Sequence, residues 1–271
     1  MLRILLPLLL LCAGAPAQAA EAFPRTLIFE PLSADPRWPA FSGAMQKYFR
    51  RPGSRVLWAA TFGESFPFAG SRGSDRWQFG LQAAVFTIWD VQTESQELIN
   101  TDFIVGFPYT WRRGRWTGMY RLFHVSTHLG DEFVIANRDI ARVNLSYEAV
   151  DAKLSYDFDR GLRAYGGAGS MIRKHPPEIK PLFFQLGGEA AGPKFLRGLL
   201  RPIAAADLQK WQQHGWQTTG VSLRAGVQME NLQLRTRRLQ LLLQYYRGRD
   251  PNGQFFADIV EEAGLGLHAY F

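Results

Sequence analysis

The chain has 271 residues, 46% of them hydrophobic and 20% charged, which is too apolar and too lightly charged for a disordered polypeptide. Its formal net charge of +7 suits an anionic partner surface. A mean hydropathy of −0.16, with no apolar run long enough to span a bilayer after the N-terminus, excludes a bundle of transmembrane helices but not a spanning β-barrel, whose alternating strands cancel in any average.

Residues 1–20 have the pattern of a secretory signal peptide: Arg3, the apolar run from Ile4 to Ala13, then Ala17-Gln18-Ala19 as a cleavage site. Cys12, the one cysteine, lies inside it, so the exported chain is expected to hold no thiol, disulfide or thiolate-bound metal. Losing Arg3 lowers the net charge by one. The remaining excess suits membrane lipid or lipopolysaccharide, and an exported chain is not expected to meet nucleic acid.

Residues 21–39 follow as an extended arm, because the prolines between Phe23 and Pro39 deny it a regular helix or central strand. Residues 40–271 form one barrel domain by pattern. Trp77, Phe79, Leu81, Ala83 and Val85 share one parity, as do Phe103, Val105, Phe107, Tyr109 and Trp111, and as do Leu239, Leu241, Leu243 and Tyr245. About twelve such segments recur, a number and spacing that suit tilted spanning strands. They begin near Phe41, Arg55, Arg76, Glu97, Arg115, Ile140, Leu162, Leu182, Leu199, Thr218, Arg238 and Ile259. The alternative is ten, since Leu199 to Gln213 contains a stretch that reads equally well as a short helix. The expected fold is therefore all-β, a closed antiparallel transmembrane barrel.

Short turns, such as Arg112-Arg113-Gly114 and Asp157 to Gly161, alternate with long polar connections at Leu129–Asp139, Arg173–Lys180 and Arg247–Gln254. In outer-membrane barrels the short turns face the periplasm. That places both termini in the periplasm and the protein in the outer membrane of a Gram-negative-type bacterium. The last strand carries Ala263, Leu265, Leu267, Ala269 and Phe271 on one face. A strand ending on a terminal phenylalanine resembles the signal read by the barrel-assembly machinery, an expected partner through Phe271.

Chemistry concentrates in Phe123-His124-Val125-Ser126-Thr127-His128, at the outward end of the fifth segment. Parity groups His124, Ser126 and His128 with Trp116, Tyr120 and Leu122 on the lipid side, leaving Arg121 to the lumen. Residues two apart on a strand have Cα atoms about 6.6 Å apart, within reach of an imidazole–hydroxyl pair. Such a base activates a serine, provided a third group orients the imidazole. On the sixth segment the same parity offers Asn144, Ser146 and Glu148, and the sequence does not choose between Asn144 and Glu148 as the orienting group.

This constellation resembles that of two outer-membrane enzyme families, phospholipase A and the lipid A deacylase. Both are β-barrels with a His-x-Ser pair on a lipid-facing strand. The resemblance implies ester hydrolysis of phospholipid or lipid A, with Ser126 as nucleophile, His124 as base, and Asn144 or Glu148 as orienter. The phospholipase motif continues differently, with Thr127-His128 standing here where it has Asn-Gly. More broadly, the Pro31–Pro39 arm, the His124–Glu132 run and the barrel ending resemble an uncharacterised bacterial family, a domain of unknown function. No organic cofactor is implied. Calcium could be held only by Asp131, Glu132 and Asp139, which lack the spacing of a dedicated calcium loop. The luminal set Arg121, Asp151, Lys153, Asp157, Glu189 and Arg224 reads as paired charges filling a small barrel. The competing function is a small pore or structural barrel, and oligomeric state is not legible.

Overall fold

The computed structural model describes residues 20–50, 55–140, 142–234 and 237–270. Residues 1–19, where the signal peptide is expected, and the terminal Phe271 lie outside the described residues. The strands are β1 (Ala20–Ala22), β2 (Phe41–Tyr48), β3 (Val56–Ser71), β4 (Arg76–Asp90), β5 (Glu97–Arg113), β6 (Trp116–Leu129), β7 (Ser146–Asp157), β8 (Leu162–His175), β9 (Leu182–Ala191), β10 (Leu200–Trp211), β11 (Thr219–Leu234), β12 (Arg237–Arg249) and β13 (Ile259–Tyr270). Strands β2 to β13 pair antiparallel in chain order. β2 then pairs with β13, and the twelve-stranded ring closes. Closure leaves the ring no free edge, which is what a sheet surrounded by lipid requires.

The alternation sorts cleanly. Trp58, Phe62, Phe103, Phe107, Leu186 and Leu243 point outward and are exposed, whereas Gln82, Asp102, Arg121, Asp151 and Asp207 point inward and are buried. A barrel with an apolar outside and a charged, sealed inside is the inverse of a water-soluble one. Several inward charges are paired: Arg121 and Lys153 reach Asp151 at 2.6 and 2.9 Å, and Arg163 reaches Glu189 at 3.3 Å. A buried ion pair adds little net stability, but deleting one partner strands the other.

The Pro-rich arm occupies the barrel interior. β1 adds to β3 outside the ring, with Ala20 opposite Ser71, on the edge that β2 uses further along. From there the chain enters the lumen at the short-turn end. Ile28, Phe29, Leu32, Ala34 and Trp38 are buried there. Phe29 and Trp38 stack at 5.8 Å, and the two pack with Leu32 against Met119, Tyr165 and Tyr270 of the wall. Because prolines and turns leave the arm without a ladder of its own, the wall supplies its hydrogen bonds. Arg163 donates to the carbonyls of Glu30 and Pro31, Arg224 to that of Ser33, and Gln185 and Gln209 to the carboxylate of Asp35.

Two segments depart from the expected pattern. The strand expected to start near Ile140 starts at Ser146. The preceding residues are diverted because Val143 bonds through both its N–H and its carbonyl to the Gln254 side chain instead of a strand. The connection before it, expected as loop, contains a helix, α1 (Asp131–Ala136), anchored by buried Phe133. The ambiguous ninth segment is strand through Trp211, followed by a single helical turn at Gln212–His214.

Candidate active site on the outer face of the barrel

β6 is a tight-turn strand: Gly114, at φ +55°, reverses the chain after β5 and fixes the register in which Phe103 faces Ser126 and Val105 faces His124. Along β6, exposure alternates except at Gly118, which is buried under the Trp111 ring. Thr117, Met119, Arg121, Phe123, Val125 and Thr127 are buried inward, and His124, Ser126 and His128 lie on the outward face with Tyr120 and Leu122. The expected parity holds along the whole strand.

The neighbouring strand supplies the third group. β7 pairs with β6 so that Glu148 lies directly opposite His124 and Ser146 opposite Ser126. His124 Nδ1 is 3.0 Å from Glu148 Oε1. Glu148 is in turn gripped by Arg173 of β8, whose Nε and Nη2 donate at 2.6 and 2.8 Å to its two oxygens. A carboxylate so held only accepts, so the proton between it and the imidazole resides on Nδ1. Nε2 then carries the lone pair, which is the arrangement a base needs toward a hydroxyl. Among the described residues no hydrogen bond joins His124 to Ser126, and the Ser126 hydroxyl has no other partner. Catalytic hydrogen bonds often tighten only when substrate is bound.

Asn144 is exposed in the segment before β7, one pair further out than Ser146, and it does not reach His124. Of the two expected orienting groups, the register brings Glu148 to the imidazole. Arg173 escaped the sequence reading for a specific reason. The residue is expected to open the Arg173–Lys180 connection, but β8 runs on to His175, and a bulge opposite Glu148 and Ala149 inserts Ile172 and turns Arg173 outward beside Glu148. The local signal was a cation at the mouth of β8, with no way to know that the parity breaks there.

Behind the site the wall is braced from inside. Thr127 donates to Asn100 at 3.2 Å, Gln254 donates to the Thr127 carbonyl at 3.1 Å, and Gly253 packs against Thr127 so closely that a Cβ there would lie 2.8 Å from the Thr127 Cβ. The strand bearing Ser126 is thus clamped by the β12–β13 loop, and its outward groups sit on a rigid element. His128 stands apart from the pair, edge-on to Phe103 at 5.8 Å.

Asp131 and Glu132 open α1, and Asp139 lies beyond it. Among the described residues, no group of three or more His, Cys, Asp or Glu side chains is arranged to hold a metal ion. His175 is exposed at the end of β8, and the His214 backbone lies in the turn after β10.

Among solved structures the chain is similar to outer membrane phospholipase A from Escherichia coli, with a TM-score of 0.58 over 90% of this chain and 93% of that one, at 11% identity. It is also similar to the Salmonella typhi outer membrane phospholipase, a dimer with bound calcium, with a TM-score of 0.56 over 88% and 94% of the two chains, at 12% identity. At such identities the likeness is one of fold: a twelve-stranded outer-membrane-type barrel. No curated protein matches the sequence. Residues 10–271 match the family described as protein of unknown function (DUF1207), and the chain belongs to that family.

Proposed function

We propose that this barrel is a serine-type acyl hydrolase of the outer membrane, acting on ester-linked acyl chains of phospholipid or lipid A. The single observation that carries the reading is the His124 Nδ1 contact with Glu148 Oε1 at 3.0 Å, on the outward face, one residue pair from Ser126. A histidine and serine that merely tolerated the lipid headgroup region would not need a carboxylate fixed by an arginine to set the imidazole tautomer.

In this mechanism Nε2 of His124 accepts the Ser126 Oγ proton while Oγ attacks the ester carbonyl. The C–O bond to the lipid alcohol breaks as the imidazolium returns that proton to the leaving oxygen. A water molecule repeats the sequence on the acyl-serine, releasing the fatty acid and restoring Ser126. Glu148 stabilises the imidazolium, and Arg173 keeps Glu148 in place. The long-loop end of the barrel faces outward in this reading, so the site meets the outer leaflet.

The pore reading is disfavoured by the arm, which obstructs part of the lumen that a channel would need. Purified protein in detergent, given mixed outer-membrane lipids with and without calcium, tests the proposal. Free fatty acid should appear with wild type and not with Ser126→Ala, while Ser146→Ala should retain most of the rate. No release from wild type would leave a non-catalytic barrel.

A further inference from the structure

The outer wall next to His124 is not flat. A groove enclosing about 410 Å³ starts at His124 and crosses β5, β4 and β3 toward Phe41 of β2. Its shape follows from register. One row of directly paired outward residues runs His124, Val105, Ala83, Glu64. The next row on the loop side runs Ser126, Phe103, Val85, Phe62, Phe41. Small side chains at 105 and 83 therefore form a floor, Phe103 and Phe62 stand as one wall, and Phe66 borders the other side. His124 and Glu64 are the polar side chains of its lining.

The groove also descends. Ser126 lies three residues from the loop end of β6, whereas Phe41 is the first residue of β2, at the opposite rim of the barrel. An apolar trough that begins at a reactive pair near one rim and slopes into the belt fits one straight apolar chain tethered at its polar end. We infer that this groove binds the acyl chain whose ester carbonyl is presented to Ser126, an inference that rests on the hydrolase reading and assigns its substrate specificity. From His124 to Glu64 is three strand spacings, about 14 Å at roughly 4.8 Å each. At about 1.2 Å per bond of extended chain, that length holds roughly twelve methylenes before the buried carboxyl group of Glu64. Ala83 is the gauge: any larger side chain there fills the floor midway.

Two arms test this and separate its failure from that of catalysis. The first compares chromogenic esters of about four and about twelve carbons, the lengths that stop short of Ala83 and pass it. Ala83→Phe should lower the long-to-short ratio of kcat/KM roughly tenfold or more while leaving the short ester's value near wild type. Ala152→Phe, outward on β7 beyond the site, should leave the ratio alone. An unchanged ratio in folded Ala83→Phe would overturn the inference. The second arm needs no turnover: Ser126→Ala is labelled with a fatty acid carrying a photoreactive group on its tail. Adducts should map to β3, β4 and β5 around positions 62–66, 83–85 and 103–105, and Ala83→Phe should abolish them. Labelling spread evenly around the barrel would overturn the groove, even if wild type hydrolyses esters. Adducts in the groove with no hydrolysis by wild type would sink the hydrolase reading and keep the groove as a lipid-binding site.

Discussion

The guanidinium of Arg37, on the arm, lies 2.6 Å from the carboxylate of Asp102, on the inner face of β5. Asp102 is almost wholly buried, at 1% exposure, and also accepts the Gly253 N–H at 2.9 Å and the Asn100 amide at 2.9 Å. One carboxylate thereby ties the tip of the arm, the barrel wall and the loop that clamps Thr127. Asp102→Ala should leave Arg37 without its counter-ion and the Gly253 and Asn100 donors without an acceptor, costing about 3–5 kcal/mol. The check is the temperature at which the barrel loses its compact gel mobility, which should fall markedly. Asp102→Asn, which keeps an acceptor, should fall less.

Glu148 and Asn144 make opposite predictions. Glu148→Ala removes the acceptor that holds the imidazole tautomer, and hydrolysis should drop by about 10²-fold or more. Asn144→Ala should stay within about twofold of wild type, since the residue lies beyond the pair. Arg173→Ala should fall between them, because its side chain is 80% exposed and its loss frees Glu148 without removing it. Acyl release by each variant, after confirming that it still folds, ranks the three.

Much of this was legible from parity, because lipid outside and charge inside impose opposite demands on adjacent residues. The starts expected at Phe41, Arg76, Glu97, Leu162, Leu182 and Ile259 are the observed ones. Parity also grouped His124 and Ser126 correctly. It could not choose between Asn144 and Glu148, which share a face. Only the register across the β6–β7 connection decides that, and the helix and the Gln254 contacts that set it are not written in strand alternation. The arm is the larger gap. Proline content says what Phe23 to Pro39 cannot be, but its place inside the lumen depends on side chains from strands far apart in sequence, such as Arg163, Gln185 and Arg224.

That placement makes a conductance prediction. With the arm docked, planar-bilayer recordings of the wild type should show no stable channel. Deleting residues 24–38 removes the buried Phe29, Leu32 and Trp38 along with the Arg37 and Asp35 contacts, and discrete conductance steps should appear. Steps of equal size with and without the arm would mean that it does not plug the barrel.

Acidity should loosen the arm at its entry. Burial pushes the Glu30 carboxyl up, but the hydrogen bond and charge of Arg238, with the charges of Arg163 and Arg112, outweigh it and hold the group below its ordinary value. A carboxyl lowered by folding stabilises at pH above the ordinary value of about 4.3 and loses that contribution as pH falls through its lowered value. Wild type should therefore be more heat-stable than Glu30→Gln at neutral pH, and the gap should close in the acidic range. A constant gap from neutral to strongly acidic pH would contradict this.

The most direct measurement asks whether Ser126 is a nucleophile. Purified protein in detergent is treated with a long-chain alkyl sulfonyl fluoride, which sulfonylates activated serines, and its intact mass and peptides are determined. A single adduct is expected on Ser126 in the wild type, with loss of that adduct in His124→Ala and strong reduction in Glu148→Ala. An unmodified wild type, or a Ser126 adduct that forms equally well in His124→Ala, would contradict it.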